Sequence, residues 1–127
     1  HRDQYQPDVR DHLLSHSADL AIHYIEALRR RSELIAYYDD EVMSCYDFIV
    51  TPTVPIAPPP LTTTQLGGVD VRQILTSWTA PFNLLGLPAL SIPIPPAHLG
   101  IGLQIVGSRD KELELLAFAR NVDAALA

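Results

Sequence analysis

Apolar residues in the first third of this chain keep a helical spacing. Leu20, Tyr24, Ala27, Leu28, Leu34, Ile35, Tyr38 and Val42 recur at three and four residues, which gathers side chains on one face of an α-helix. The pattern predicts a long helix from Ala18 to about Met43, with Ser17 as its N-cap, and a shorter one from Asp8 to about Ser15. At 1.5 Å per residue the long helix would run roughly 39 Å, more than a domain of this size needs. It is expected to strap across a larger body.

After residue 44 the pattern changes. Asp47 followed by Phe48, Ile49 and Val50 is a short continuous apolar run, which predicts a strand near 47–51 buried on both faces. Pro52 has no N–H to give and should stop the ladder. Pro55 and Pro58 to Pro60 then bias the chain toward extended polyproline conformation. Gly67 and Gly68 mark a turn, and Val71 to Leu85 can make one or two short helical pieces interrupted at Pro81.

The stretch "LPALSIPIP" predicts a second strand near 89–94, bracketed by Pro88 and Pro95. In "GIGLQIVG" the alternation predicts a third near 101–106, with Ile101, Leu103 and Ile105 on one face and Gly102, Gln104 and Val106 on the other. The short link from Pro95 to Gly100 makes these two strands an antiparallel hairpin. A closing helix is expected from about Asp110, as cap, to Ala125, with Glu112 at the positive end of its dipole. The fold class is α/β: a few strands of a mixed sheet, one hairpin among them, packed against the long helix and the C-terminal helix.

Charge sharpens this picture. The chain has 127 residues and a formal net charge of −6. Yet between Phe48 and Gly107 the only formally ionised side chains are Asp70 and Arg72. A segment so poor in charge is not expected to face water on every side, because exposed surface is normally rich in Lys, Arg, Asp and Glu. Residues 1–127 are therefore read as one partial domain, with a helical strap over 8–43 and strands, proline-rich loop and closing helix over 44–127. The chain starts at His1 and its one methionine is Met43, so it is expected to be a piece of something longer.

The acidic balance excludes nucleic acid as a partner, since phosphate binding needs clustered Lys and Arg. Arg29 to Arg31, flanked by Glu26 and Glu33, read as a solvated helix face. No run approaches a membrane span, and the polar N-terminal stretch shows no signal peptide. Cys45 is the one cysteine; it fits a reducing compartment, the cytoplasm, and its apolar neighbours predict a buried, inert thiol.

Few catalytic templates find their residues here. His12 and His16 stand four apart, but no carboxylate completes a ligand set, and neither a metal nor a cofactor is expected. Phosphate-cradling glycine spacings are lacking, and Ser91 lies in a strand with no elbow to expose it. Lys111 is the one lysine, at the start of a surface helix, so a serine mechanism that deprotonates through a buried lysine has no candidate. The isolated chain is expected to be inactive.

Residues 79–107, "TAPFNLLGLPALSIPIPPAHLGIGLQIVG", resemble the C-terminal signature region of the amidase signature family. Upstream, "YIEALRRRSELIAYYDDEVMSCYDFIVTPTVPIAPP" is similar to that family's long helix running into a proline-punctuated strand. The resemblance covers essentially the whole chain and implies the C-terminal segment of an amidase. In the family a serine attacks an amide carbonyl, activated through a second serine with a cis peptide bond and a neutral lysine, while backbone N–H groups hold the oxyanion. Those groups belong to segments that precede this region. What the resemblance implies for this chain is a share in the substrate pocket: Trp78 and Phe82 as apolar wall and Asn83 as a polar tip, each weighed against core packing or a local backbone cap. Gln104 reads as a buried structural amide joining strand and loop.

The expected partners are a small-molecule amide and either a second copy of the chain or an N-terminal amidase segment, because a small sheet without its neighbours leaves an open edge and apolar surface. The alternative is a free-standing noncatalytic module that binds a partner through its apolar face.

Overall fold

The computed structural model describes residues 2–15, 19–95 and 100–126. The expected cap at Ser17, the start of the long helix at Ala18, His16 and most of the link after Pro95 lie outside the described residues. The chain divides into two compact units, His1–Glu33 and Leu34–Ala127.

In the first unit a single 3-10 turn, Arg2–Gln4, precedes helix α1, Pro7–Ser15. Pro7 suits the first helical position, where its missing N–H costs nothing. Ser15 Oγ donates to the His12 carbonyl at 2.7 Å and closes the last turn. Helix α2, Ala21–Tyr37, begins in this unit and has no buried residue. Its apolar positions Ile22, Tyr24, Ile25 and Leu28 are exposed.

Helix α2 ends earlier than its apolar spacing predicts. Residues Tyr38–Val42 wind as one π turn, with Met43 N–H donating to the Tyr38 carbonyl at 2.8 Å. Asp39, Asp40 and Glu41 fall there. Three carboxylates at the negative end of a helix dipole disfavour its extension, and a single wider turn is the usual form of such a break. Cys45, expected to be buried, is exposed in the turn that follows, beside Ser44; the turn carries it outside the packed strand.

The second unit is built on a three-stranded antiparallel sheet, β1 (Phe48–Pro52), β4 (Ala89–Pro93) and β5 (Gly102–Gly107), in the order β1-β5-β4. The hairpin of β4 and β5 forms as its spacing predicts, with Ser91 opposite Gln104 and Ile92 opposite Leu103. On the other side of β5, Thr51 pairs with Gln104 and Ile49 with Val106. The small hairpin β2 (Gln65–Leu66) and β3 (Val69–Asp70) turns at Gly67 and Gly68, whose φ values of 59° and 81° few other residues tolerate.

β5 lies between two apolar clusters. On one face Val106 packs with Phe82, Leu85 and Leu87, joined by Ile35, Tyr38 and Ile49. On the other, Ile105 packs with Leu115 and Ala119 of helix α5 (Glu112–Leu126), joined by Phe48, Leu90, Ile92, Phe118 and Val122. The rings of Phe48 and Phe118 stack 4.2 Å apart. Ile105 and Val106 have no exposed surface, worth about 1.5–3 kcal/mol each.

Three further expectations are corrected. β1 is not buried on both faces: Phe48 and Ile49 are half-buried and Val50 is 49% exposed, because β1 is an outer strand of this sheet. Pro52 does not stop the ladder either. Thr53 N–H still donates to the Gly102 carbonyl at 2.8 Å, and the alternation of an antiparallel pair places the Pro52 nitrogen on the outer edge, where no N–H is needed. Asp110 has φ 60° and stands before the helix; Lys111, whose carbonyl accepts from Leu115 N–H, opens α5 in its place.

The Val71–Leu85 stretch resolves into two helices, α3 (Val71–Thr76) and α4 (Ala80–Leu85). Pro81 sits in the first turn of α4, where proline is tolerated. No helix among the described residues is long and apolar enough to cross a membrane.

Candidate functional site

Period-two alternation puts Thr51, Thr53, Ser91, Gly102 and Gln104 on the face of the sheet that also carries Val106. Helix α4 covers the apolar end of that face. Its polar end lines a cleft of about 270 Å³, shared with Thr79, Phe82, Asn83 and Leu87.

Gln104 is the buried polar centre, 4% exposed. Its Nε2 donates at 3.0 Å both to Thr51 Oγ1 and to the Trp78 carbonyl. Both amide hydrogens are committed, so the acceptor Oε1 is the capacity left for another group. Strand β1, strand β5 and the turn before α4 are thereby tied together, as the reading of Gln104 as a structural amide expects.

Next to Gln104 stands a pair of hydroxyls. Thr53 Oγ1 and Ser91 Oγ lie 2.5 Å apart, joining the two outer strands across β5. The space is available because the central strand has glycine there: a Cβ at Gly102 would fall 2.6 Å from Thr53 Oγ1 and nearer still to Ser91 Oγ. Asn83 is exposed on α4, and its Nδ2 donates to the Thr79 carbonyl at 3.2 Å. Phe82, 8% exposed, is both cleft wall and core.

Of the three residues singled out from sequence, Phe82 and Asn83 line the cleft and Trp78 does not. Trp78 is 40% exposed and reaches the site through its carbonyl. Asn83 is both a local cap and a cleft residue. The hydroxyl pair does not emerge from the motifs, although Thr51 and Thr53, two apart in "TPT", must share a face once β1 is a strand.

A second residue outside the motifs braces the cleft from behind. Arg109 Nη1 donates to the Leu85 and Gly86 carbonyls at 3.0 and 3.2 Å, at the C-terminal end of α4, and Nη2 lies 3.5 Å from Asp39 Oδ1. A cation on the last carbonyls of a helix satisfies acceptors that have no helical partner.

No ionisable side chain among the described residues lines the cleft. It offers neutral donors and acceptors against an apolar wall, which suits an uncharged polar group such as an amide and supplies no general base of its own. No group of three or more His, Cys, Asp or Glu that could hold a metal ion occurs among the described residues.

Comparison with known proteins gives this arrangement a context. One subunit of the glutamyl-tRNA(Gln) amidotransferase of Sulfolobus acidocaldarius is 36% identical over 107 residues, 80% of this chain and 21% of that protein. A fatty acid amide hydrolase of Medicago truncatula is 35% identical over 124 residues, 91% of this chain and 20% of that one. The chain thus spans about a fifth of the length of the curated relatives it matches. A crystal structure of an amidase superposes with a TM-score of 0.88 at 28% identity, covering 100% of this chain and 30% of the other. The α/β fold is therefore that of amidase signature proteins. With the Amidase family profile matching residues 2–116, this chain belongs to that family.

Proposed function

We propose that this chain is a segment of an amide hydrolase that converts a carboxylic acid amide to the acid and ammonia or an amine. It carries one wall of the substrate pocket. The observation that supports this most directly is the neutral cleft, where Phe82 and Leu87 give apolar area and Asn83, Ser91 and Gln104 give hydrogen-bonding groups, with no charge among the described residues to repel or ionise an uncharged amide.

The bond-breaking groups we assign to residues outside this chain: a serine nucleophile, a second serine with a cis peptide bond, and a lysine that takes the proton, as the family resemblance implies. Lys111 does not fit that role. It is exposed and hydrogen-bonded to Glu114 Oε1 at 2.6 Å, and this partner holds its pKa above the ordinary value, where a base must be neutral. Ser91 is held by Thr53, and no base stands beside it among the described residues. The free cysteine fits a reducing compartment, and we assign the protein to the cytoplasm.

The test pairs two preparations: the natural protein, defined by its intact mass, and the 127-residue chain, each offered a panel of simple amides and esters. Release of ammonia by the first and none by the second is the expected result. Turnover by the 127-residue chain that is lost with Ser91→Ala would place the nucleophile here and overturn the assignment. A natural protein inert toward every amide and ester, yet binding a partner protein, would favour a noncatalytic module, the reading for which the exposed apolar positions of α2 speak.

A further inference from the structure

A second cavity, about 420 Å³, lies between the loop before β2 and helix α3, with Val71 and Leu75 as its apolar floor and Thr63, Thr64, Arg72 and Thr76 around it. Arg72 is the one formally cationic side chain between Phe48 and Gly107. Its backbone is fully used: N–H donates to Asp70 Oδ1 at 2.7 Å and the carbonyl accepts from Thr76 Oγ1 at 2.9 Å. Its guanidinium enters no ion pair or hydrogen bond among the described residues. Five donors in a rigid fork thus stand free at the rim of an apolar cavity, in a segment that otherwise avoids charge.

One turn of the chain joins this cavity to the neutral cleft. Thr76 lines the one and Thr79 the other. The Thr76 carbonyl accepts both the N–H and the Oγ1–H of Thr79, at 3.1 and 3.2 Å. The helical stretch from Arg72 to Thr76, about 6 Å of rise, and the tight turn from Thr76 to Thr79 separate a site for an uncharged amide from a free guanidinium.

We propose that Arg72 is a specificity residue that pairs with a carboxylate carried by the amide substrate, so that the preferred substrates are amides ending in one carboxylate a few carbons from the scissile group. This rests on the amide-hydrolase reading above. A guanidinium recognises a carboxylate through two parallel hydrogen bonds, and Val71 and Leu75 give the intervening methylenes an apolar surface. Asp70 lines the same cavity. Its Oδ1 is held by the α3 cap, and its negative charge disfavours a second anionic group on the ligand. The selected ligand is therefore a monocarboxylate.

The test is an NMR titration of the 127-residue chain with succinamate, its neutral analogue succinamide and the dianion succinate. Succinamate is expected to shift the Arg72 Nε–H and the backbone amides of Thr63, Thr64 and Leu75, and to bind about tenfold or more tightly than succinamide. Succinate should bind no better than succinamate. The preference should vanish in Arg72→Gln, survive in part in Arg72→Lys, and shrink as salt is raised, because the pair is exposed. Equal binding of succinamate and succinamide, shifts confined to other surfaces, or an unchanged preference in a folded Arg72→Gln variant would overturn the proposal. Two mixed outcomes separate it from the reading beneath it. A natural protein that hydrolyses succinamide and succinamate equally well overturns the Arg72 assignment alone. Succinamate bound at Arg72 by a protein that hydrolyses no amide overturns the amidase reading alone.

Discussion

Arg109 holds Leu85 from twenty-four residues away: its Nη1 donates to the Leu85 carbonyl at 3.0 Å and shares the Gly86 carbonyl at 3.2 Å. Gly86 stands at φ 70°, the left-handed residue that ends α4. Helix α4 carries Phe82 and Asn83, so a side chain from the turn after β5 fixes the end of the helix that walls the cleft. Its second nitrogen, Nη2, is buried and makes no hydrogen bond among the described residues, with Asp39 Oδ1 at 3.5 Å as its ionic partner.

Replacing Arg109 with Met keeps much of the stem and removes the donors. The unfolding free energy is expected to fall by about 1–2 kcal/mol, read from urea midpoints, and the amide resonances of Asn83 and Leu85 should shift. A loss below about 0.5 kcal/mol, the range of an ordinary surface substitution, would show that the contact does not hold the helix.

Gly102→Ala tests the close approach at the centre of the cleft. The added methyl meets both hydroxyls of the Thr53–Ser91 pair, and overpacking of this kind costs about 1–3 kcal/mol. The triple variant Gly102→Ala, Thr53→Ala, Ser91→Ala should recover much of that loss, since the colliding oxygens are gone. If it recovers nothing, strand conformation and not crowding explains the glycine.

Gln104→Leu keeps the volume near that of glutamine while leaving the Trp78 carbonyl and Thr51 Oγ1 without their donor. An unsatisfied buried acceptor costs about 1–3 kcal/mol, and these two, being only part-buried, are expected at the low end of that range. Thermal or urea unfolding measures it, and an unchanged midpoint would mean that water replaces the amide.

How far these relationships can be read from the sequence depends on their range along the chain. The β4–β5 hairpin is legible because Pro88 and Pro95 bracket one strand and strict alternation marks the other, both local signals. Phe82 and Asn83 are legible through a motif. The exposure of Val50 is not, since a continuous apolar run says that a strand can be covered on both faces and not how many neighbours it has here. Nor is the reach of Arg109 to Leu85, which depends on where two turns meet in space. Asp110 reads as a cap because short acidic residues favour that place; the tight turn after β5 needs a left-handed residue first, and Asp supplies one at modest cost.

The Lys111–Glu114 pair gives a pH dependence with a definite sign. The pKa of Lys111 lies above its ordinary 10.5, because Glu114 accepts its hydrogen bond and attracts its charge. A lysine whose folded pKa is raised adds stability that is fully present below its unfolded pKa and is lost as pH rises through the folded value. Melting temperatures of the native chain and of Lys111→Gln should therefore differ by a constant amount up to about pH 10, after which the native chain loses ground. Parallel curves through pH 11 would show that the pair has no net effect, as is common for exposed ion pairs.

In the order β1-β5-β4 both β1 and β4 are outer strands of the described sheet. Because Thr53 N–H turns inward to Gly102, the alternation of the ladder turns the N–H of Phe48 and Val50 outward. Val50 is 49% exposed, and Leu61, Leu84, Leu113 and Leu116 are exposed as well. An unpaired edge is a template for another strand, and exposed apolar side chains elsewhere add to the tendency to associate. At roughly 25 cal/mol per Å², a contact covering a few hundred Å² favours association by several kcal/mol before entropic costs. The 127-residue chain is therefore expected to sediment as a concentration-dependent mixture above its 14.0 kDa monomer. Val50→Lys puts a charge on the β1 edge at a position already open to solvent, so it should leave the fold intact and shift the mixture toward monomer. A single 14.0 kDa species across the dilution series, melting cooperatively, would show that the chain satisfies its own edges; self-association unchanged by Val50→Lys would move the contact away from β1.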